Sequence, residues 1–390
     1  QRVDFRIQNV YDKFRMYILQ TGGVFMSIQT LGFIGLGLIG GSIVKTAKRV
    51  YPDLRIIARS GHQSTVTEAY GDGLIDNERN ASPEDFADCD YIFLCTPVQK
   101  NLSYIRQLKD IMKDSCILTD VGSVKGDIHK TVADLGLNAH FIGGHPMAGS
   151  EKTGLSNATA YLLENAYYIL TPTAQVDDRY VRELRDFIAS LGAIPMVLGY
   201  DTHDTATAAI SHLPHVIASA LVNLIEQSDD KYGTMKTIAA GGFKDITRIA
   251  SSSPVMWEEI CLSNREKLLM MLDAYQKSLS AIRQRIEHSD GDGIHNFFQS
   301  AKDYRDSLAV TPKGLYKAVF ELYCDLIDEA GGIATIATIL ASNNLSIKNI
   351  GIIHNREFEE GVLKIEMYDK ASYERTIALL RKYHYTVYER

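Results

Sequence analysis

The stretch Thr30-Leu31-Gly32-Phe33-Ile34-Gly35-Leu36-Gly37-Leu38-Ile39-Gly40-Gly41-Ser42 decides the fold. An apolar run ends in Gly35-x-Gly37-x-x-Gly40 and passes directly into a helical pattern. Strand, turn and helix in that succession are the setting in which this glycine spacing binds a dinucleotide. Gly35 makes the tight turn, Gly37 lets the backbone approach a pyrophosphate, and Gly40 lets helix and strand pack closely. The phosphates then sit at the positive helix N-terminus, against the backbone of Leu38 and Ile39.

The pattern continues outward. A helix is expected at 39–49 and a second strand at 54–58, followed by short apolar runs at 91–95, 115–119 and 141–142. Helical stretches at 101–113 and 125–135 separate them. This alternation predicts an α/β Rossmann domain over residues 26–200, with a doubly wound parallel sheet. Runs at 167–170 and 193–198, around a helix at 177–191, are expected to extend that sheet. The loop Thr96-Pro97 after the third strand is expected to line the cofactor. The second strand ends in Arg59-Ser60-Gly61-His62, with no acid to hold a ribose 2′-hydroxyl. Arg59, Ser60 and His62 suit a 2′-phosphate, so the cofactor is NAD+ or NADP+ with a lean to NADP+.

From about residue 202 the texture changes. Residues 201–312 read as a helical domain without a strand. Leu268, Leu272, Tyr275, Leu279, Ile282 and Ile286 form an a/d seam on a helix of about 30 residues. Such a seam serves either an intrachain bundle or a helix shared by two subunits. The homodimer is favoured, because the apolar surface exceeds what a small domain covers alone. Thr311-Pro-Lys-Gly314 reads as a linker. Residues 318–390 alternate as βαββαβ, with a hairpin turn at 355–361. Residues 1–25 mix charges into their apolar positions and read as a non-essential extension, not as a signal peptide.

Composition narrows the function. Of the 390 residues, 45% are hydrophobic and 23% charged, the proportions of an ordinary globular protein. A net charge of −7 without a basic run argues against nucleic acid as a partner. No apolar stretch approaches the ~20 residues that span a bilayer, so no membrane is expected. The five scattered cysteines suit a reducing cytoplasm and imply no metal site.

Four polar clusters fall at strand ends or on helices. They are Asp120-Val-Gly-Ser-Val-Lys125, Gly144-His-Pro-Met-Ala-Gly-Ser-Glu151, Ser211-His-Leu-Pro-His215 and Gly242-Phe-Lys-Asp-Ile-Thr-Arg248. Each has a structural reading of its own. The glycines before His145 can be a plain turn, Ser123 a helix cap, and His212 and His215 core or interface histidines. Arg248 can pair with Asp204 or Asp245. With the glycine turn, however, the clusters make five ordered motifs over residues 30–310, and that span resembles the prephenate/arogenate dehydrogenase family. Residues 318–390 look like an ACT domain, a module that binds amino-acid effectors.

The resemblance implies oxidative decarboxylation of prephenate to 4-hydroxyphenylpyruvate with NAD(P)+, in tyrosine biosynthesis. Prephenate carries a ring carboxylate, a pyruvyl side chain and a 4-hydroxyl. The family pattern assigns His145 as base at that hydroxyl, with Ser123 assisting. It places Arg248 on the ring carboxylate, Ser211 and His215 at the side chain, and Glu151 at the pocket mouth. Tyrosine is the implied effector, at a loop of Glu329, Ala330, Gly331 and Gly332. Alternatives are an arogenate (cyclohexadienyl) dehydrogenase, a β-hydroxyacid dehydrogenase using Lys244, or a non-catalytic amino-acid sensor on a nucleotide fold.

Overall fold

The computed structural model describes residues 28–149, 152–307, 320–325, 331–353 and 362–389. Every residue of β1 (Thr30–Ile34) is buried, because apolar side chains on both faces of a central strand need cover on both sides. It pairs in parallel with β2 (Arg55–Arg59) on one side and β3 (Tyr91–Leu94) on the other. Beyond β3 lies β4 (Ile117–Asp120), giving the order β2-β1-β3-β4. Helix α1 (Leu38–Val50) lays Ile43, Val44 and Ala47 into the core. Phe33 and Phe93 stack across the two central strands with ring centroids 4.9 Å apart. Connections leave β1 toward β2 and then cross to β3, so the switch point where such folds bind ligands lies at the C-terminal ends of β1 and β3. The glycine turn occupies that point. After it come α2 (Gln63–Gly71), α3 (Val98–Leu108) and α4 (Gly126–Asp134).

One expectation is corrected. The runs near 167–170 and 193–198 do not extend the parallel sheet. Strand β5 (Ile142–Pro146) pairs antiparallel with β6 (Tyr167–Pro172), which pairs in parallel with β7 (Ile194–Val197) in a separate three-stranded sheet. A parallel return needs a crossover element. Between β5 and β6 the described chain has only the short turn Leu155–Asn157, whereas α5 (Asp178–Ser190) supplies a crossover between β6 and β7. A single parallel bridge, Leu118 to Phe141, joins the two sheets.

The helical lobe opens with α6 (Tyr200–Thr207), which passes through a π-turn at Ala208–His212 into α7 (Leu213–Ser228). Then follow α8 (Thr234–Ile238), α9 (Gly241–Thr247), α10 (Pro254–Ser263), α11 (Arg265–Glu287) and α12 (Gly291–Ser307), with no strand among the described residues between 200 and 307. The single long helix expected after Trp257 is interrupted at Asn264 (φ −109°, ψ 31°), whose buried side chain is drawn into the site described below. The apolar seam therefore belongs to the 23 residues of α11. Leu268 is buried there, but Leu279 is 48% and Ile286 61% exposed within one chain. Tyr200–Ser228 is also long and apolar enough by composition to cross a membrane, with a mean hydropathy of 1.5 in its most apolar window. The linear sequence hid this because His203, Asp204, His212 and His215 interrupt the run.

The chain divides into two compact units, residues 1–295 and 296–390. The second contains β8 (Phe320–Asp325), α13 (Gly332–Ser342), β9 (Ile347–Ile353), β10 (Val362–Met367), α14 (Lys370–Lys382) and β11 (Val387–Glu389). Its antiparallel sheet has the order β11-β8-β10-β9, and Leu322, Ile336, Leu340, Leu363, Ile365 and Leu380 fill its core. The expected βαββαβ succession is thus present. The hairpin turn at 355–361, the linker at 311–314, the extension at 1–25 and the residues Glu329, Ala330 and Glu151 lie outside the described residues. Gly331, with φ +98°, precedes α13.

Candidate active site

Gly35 adopts φ +109°, and a Cβ on Gly40 would lie 2.2 Å from the Gly35 carbonyl oxygen. Both positions therefore require glycine. The residues here fit a dinucleotide. No side chain caps α1, so its first-turn N–H groups are available, and nothing lies within 4 Å of where a Cβ on Gly37 would project. That space and those donors suit a pyrophosphate. Thr96 donates from its backbone N and Oγ1 to Asn101 Oδ1 at 3.2 and 2.6 Å, and Pro97 begins the turn into α3. At the end of β2, Arg59 donates from Nη1 to the Ala81 carbonyl at 2.5 Å, and Ser60 is pinned through Asn80.

A buried polar cluster lies at the end of β4. Asp120 ends β4, and its carboxylate accepts from the backbone N of Gly122 at 2.8 Å and of Gly144 at 3.1 Å. The fully buried Lys125 ammonium pairs with Asp120 and donates to the Gly144 carbonyl at 2.7 Å. Burial pushes the Lys125 amine downward in pKa, while Asp120 pulls it up. This pair ties the loop after β4, which carries the half-buried Ser123, to the strand that carries His145. Breaking a buried pair by removing one partner costs about 3–5 kcal/mol, so the tie is stiff.

His145 is only 9% exposed, at the end of β5. Its Nδ1 lies 2.7 Å from Nε2 of His203, and His203 Nδ1 lies 2.8 Å from Asp204 Oδ1. Burial first, then the neighbouring His203, Lys125 and His212, hold the His145 imidazole well below its usual pKa of 6.5. The ring is therefore neutral and able to accept a proton at cellular pH.

The remaining residues follow along the helical lobe. His215 donates from Nδ1 to the Ser211 carbonyl at 2.9 Å and stacks on Trp257, with ring centroids 3.8 Å apart. Ser211 and His215 follow on from α6, which carries His203, and the π-turn that holds Ser211 and His212 interrupts the regular register between α6 and α7. Such turns are frequent at functional sites. His212 is buried and receives a hydrogen bond at Nδ1 from Asn264 at 3.2 Å. Its Nε2 and the indole Nε1 of Trp257 are buried donors with no partner among the described residues. Arg248 follows α9 and opens a short turn packed against α7. It is exposed and makes no ion pair among the described residues. A pairing with Asp204 is overturned: that carboxylate faces His203 and the start of α4.

Family models now complete the assignment. The prephenate dehydrogenase nucleotide-binding domain matches residues 43–197, and the prephenate dehydrogenase dimerization domain matches residues 200–300. A prephenate dehydrogenase of Bacillus subtilis is 39% identical, over 86% of this chain and 91% of that protein. The chain belongs to the prephenate dehydrogenase family.

The chain is thus a nicotinamide-dependent oxidoreductase of the aromatic pathway that leads to tyrosine. A crystal structure of prephenate dehydrogenase from A. aeolicus, in complex with hydroxyphenyl propionate and NAD+, superposes with a TM-score of 0.68. The two are 30% identical over 73% of this chain and 99% of that one. Arogenate dehydrogenase from Synechocystis superposes with a TM-score of 0.65, at 31% identity over 71% of this chain and 99% of that one. The Bacillus match spans too much of the chain to end before β8, so the likeness enters the C-terminal unit.

Sequence reasoning missed His203 as a member of the site. Its partner His145 is 58 residues away in the chain. The available signal was a His-Asp pair on a helix otherwise rich in small and apolar residues.

Proposed function

We propose that His145 is the base of the reaction and that Arg248, Ser211 and His215 hold the substrate, with Ser123 beside the hydroxyl and Glu151 at the mouth. The observation that carries this reading is a buried imidazole at the end of β5, its Nδ1 held 2.7 Å from His203 Nε2, in a domain whose glycine turn suits a dinucleotide. A bound nicotinamide supplies the hydride acceptor. The His145 imidazole takes the proton of the 4-hydroxyl as C4 is oxidised. The electron pair of the bond to the ring carboxylate then completes the aromatic ring as CO2 departs. The phenolate oxygen recovers the proton, so the base is regenerated. The Arg248 guanidinium offers a planar fork to a carboxylate.

Prephenate is favoured over arogenate because the two differ by a keto group against an ammonium. The surroundings of His215 contain two buried N–H donors without acceptors among the described residues, on His212 and Trp257, which suit an acceptor group better than a cation. Absorbance at 340 nm, followed with each substrate and each cofactor, tests the reading: prephenate is expected to be turned over and arogenate poorly.

At the ribose, Arg59 and Ser60 favour NADP+ over NAD+. Arg59→Ala is expected to lower the ratio of kcat/KM for NADP+ to that for NAD+ by about tenfold, the effect of one lost charge-assisted contact. An unchanged ratio in cofactor-titration kinetics removes Arg59 from 2′-phosphate recognition.

The exposed part of the α11 seam supports a homodimer, and the chain is assigned to the cytoplasm. The C-terminal βαββαβ unit is read as an ACT domain that binds tyrosine near Gly331 and Gly332. Truncation after residue 314 is expected to abolish inhibition by tyrosine while leaving turnover. A truncated enzyme that stays fully tyrosine-sensitive contradicts that role.

A further inference from the structure

The base assignment leaves open which nitrogen of His145 carries the proton, and the hydrogen bonds behind the ring answer it. Asp204 accepts the backbone N–H of Lys125 at Oδ1 (2.9 Å) and of Gly126 at Oδ2 (2.8 Å), at the N-terminus of α4. Both oxygens of this carboxylate thus act as hydrogen-bond acceptors. Its contact with His203 therefore requires the proton on His203 Nδ1. A neutral imidazole carries one N–H, which leaves a lone pair on His203 Nε2. That lone pair must accept from His145, so His145 carries its proton on Nδ1 and presents a bare Nε2.

An imidazolium at His203 would reverse the arrangement, making His145 a donor at Nε2 and useless as a base. Both rings are buried, with His203 1% exposed, and an unpaired extra charge there would be costly to bury.

We infer that His203, held by Asp204, is a positioning residue that fixes His145 in the Nδ1–H tautomer and so makes Nε2 the proton acceptor. This inference rests on the reading of His145 as base. It adds that the first helix of the helical lobe supplies the orienting group to a ring from the other lobe. When Nε2 takes the hydroxyl proton, the Nδ1–H bond to His203 becomes charge-assisted and the Asp204 carboxylate balances the new charge.

The test compares two substitutions. His203→Leu removes both hydrogen bonds. His203→Gln keeps a side chain whose oxygen accepts from His145 and whose amide donates to Asp204. His203→Leu is expected to lower kcat by about 10²–10³-fold, below the ~10⁴ measured when another enzyme's catalytic histidine lost its tautomer-fixing carboxylate. KM for prephenate and cofactor binding are expected to stay unchanged, and His203→Gln should restore most of the loss. Two-bond proton–nitrogen NMR of the wild-type enzyme, with the His145 signal assigned by His145→Asn, is expected to show Nδ1 protonated and Nε2 bare at neutral pH. Full kcat in His203→Leu, equal losses in both variants, or a proton on Nε2 in the wild-type enzyme overturns the inference. Should either variant fail to fold, the wild-type tautomer decides alone. Full activity in His145→Asn would instead sink the base assignment and say nothing against the hydrogen-bond chain.

Discussion

Replacing His145 with Asn is expected to lower kcat by about 10²–10⁴-fold, the contribution of a positioned general base. KM should change little, because the ring meets the hydroxyl, whereas the substrate's carboxylates are held elsewhere. Asparagine retains a hydrogen-bonding group at similar reach but takes no proton at neutral pH. A pH profile separates this from simple mispositioning. The folded enzyme holds the His145 imidazole below 6.5, chiefly by burial, so the base is neutral above that lowered value. Activity is therefore expected to stay level as pH falls through 6.5 and to decline only below it. In His145→Asn that acid limb should vanish. Unchanged kcat with raised KM would mean that His145 binds the substrate and does not act on it.

Arg248→Ala is expected to do the reverse, raising KM for prephenate with a much smaller effect on kcat. Truncating one partner of a hydrogen-bonded charge pair in a binding site costs about 2–5 kcal/mol, or roughly 30- to 5,000-fold in affinity. The side chain is exposed and has no ion pair among the described residues, so its removal should leave stability within about 0.5 kcal/mol. Thermal unfolding alongside steady-state kinetics checks both halves. A lowered Tm with unchanged KM would make the guanidinium structural. A fallen kcat with intact KM would move Arg248 to the reacting centre.

The parts of this molecule that sequence exposes are those governed by local rules. The glycine turn is legible because backbone geometry at Gly35 and close packing at Gly40 admit no other residue. The parallel strands β1 to β4 are legible because burial on both faces demands unbroken apolar runs. The antiparallel turn of β6 was not legible, since strand direction depends on the length of the connection and both directions use similar apolar runs. The break at Asn264 was hidden for a related reason. Its side chain leaves the helix pattern to donate to the Asp204 carbonyl at 2.8 Å, an interaction 60 residues distant. His145 and Arg248 stood out through their motifs, but what orients His145 did not. The contact that brings His203 to it exists only once the helical lobe packs against the strand β5 that carries His145.

The central claim concerns where a proton goes, and one crystal structure tests it. The enzyme would be crystallised with an oxidised nicotinamide cofactor and a non-reacting substrate analogue that carries both the hydroxyl and the ring carboxylate. Nε2 of His145 should lie at hydrogen-bond distance, about 2.6–3.2 Å, from the analogue's hydroxyl. The nicotinamide ring should face the same carbon, and the Arg248 guanidinium should engage the carboxylate. A hydroxyl that meets another side chain, with the His145 ring turned away from the bound ligand, would contradict the account.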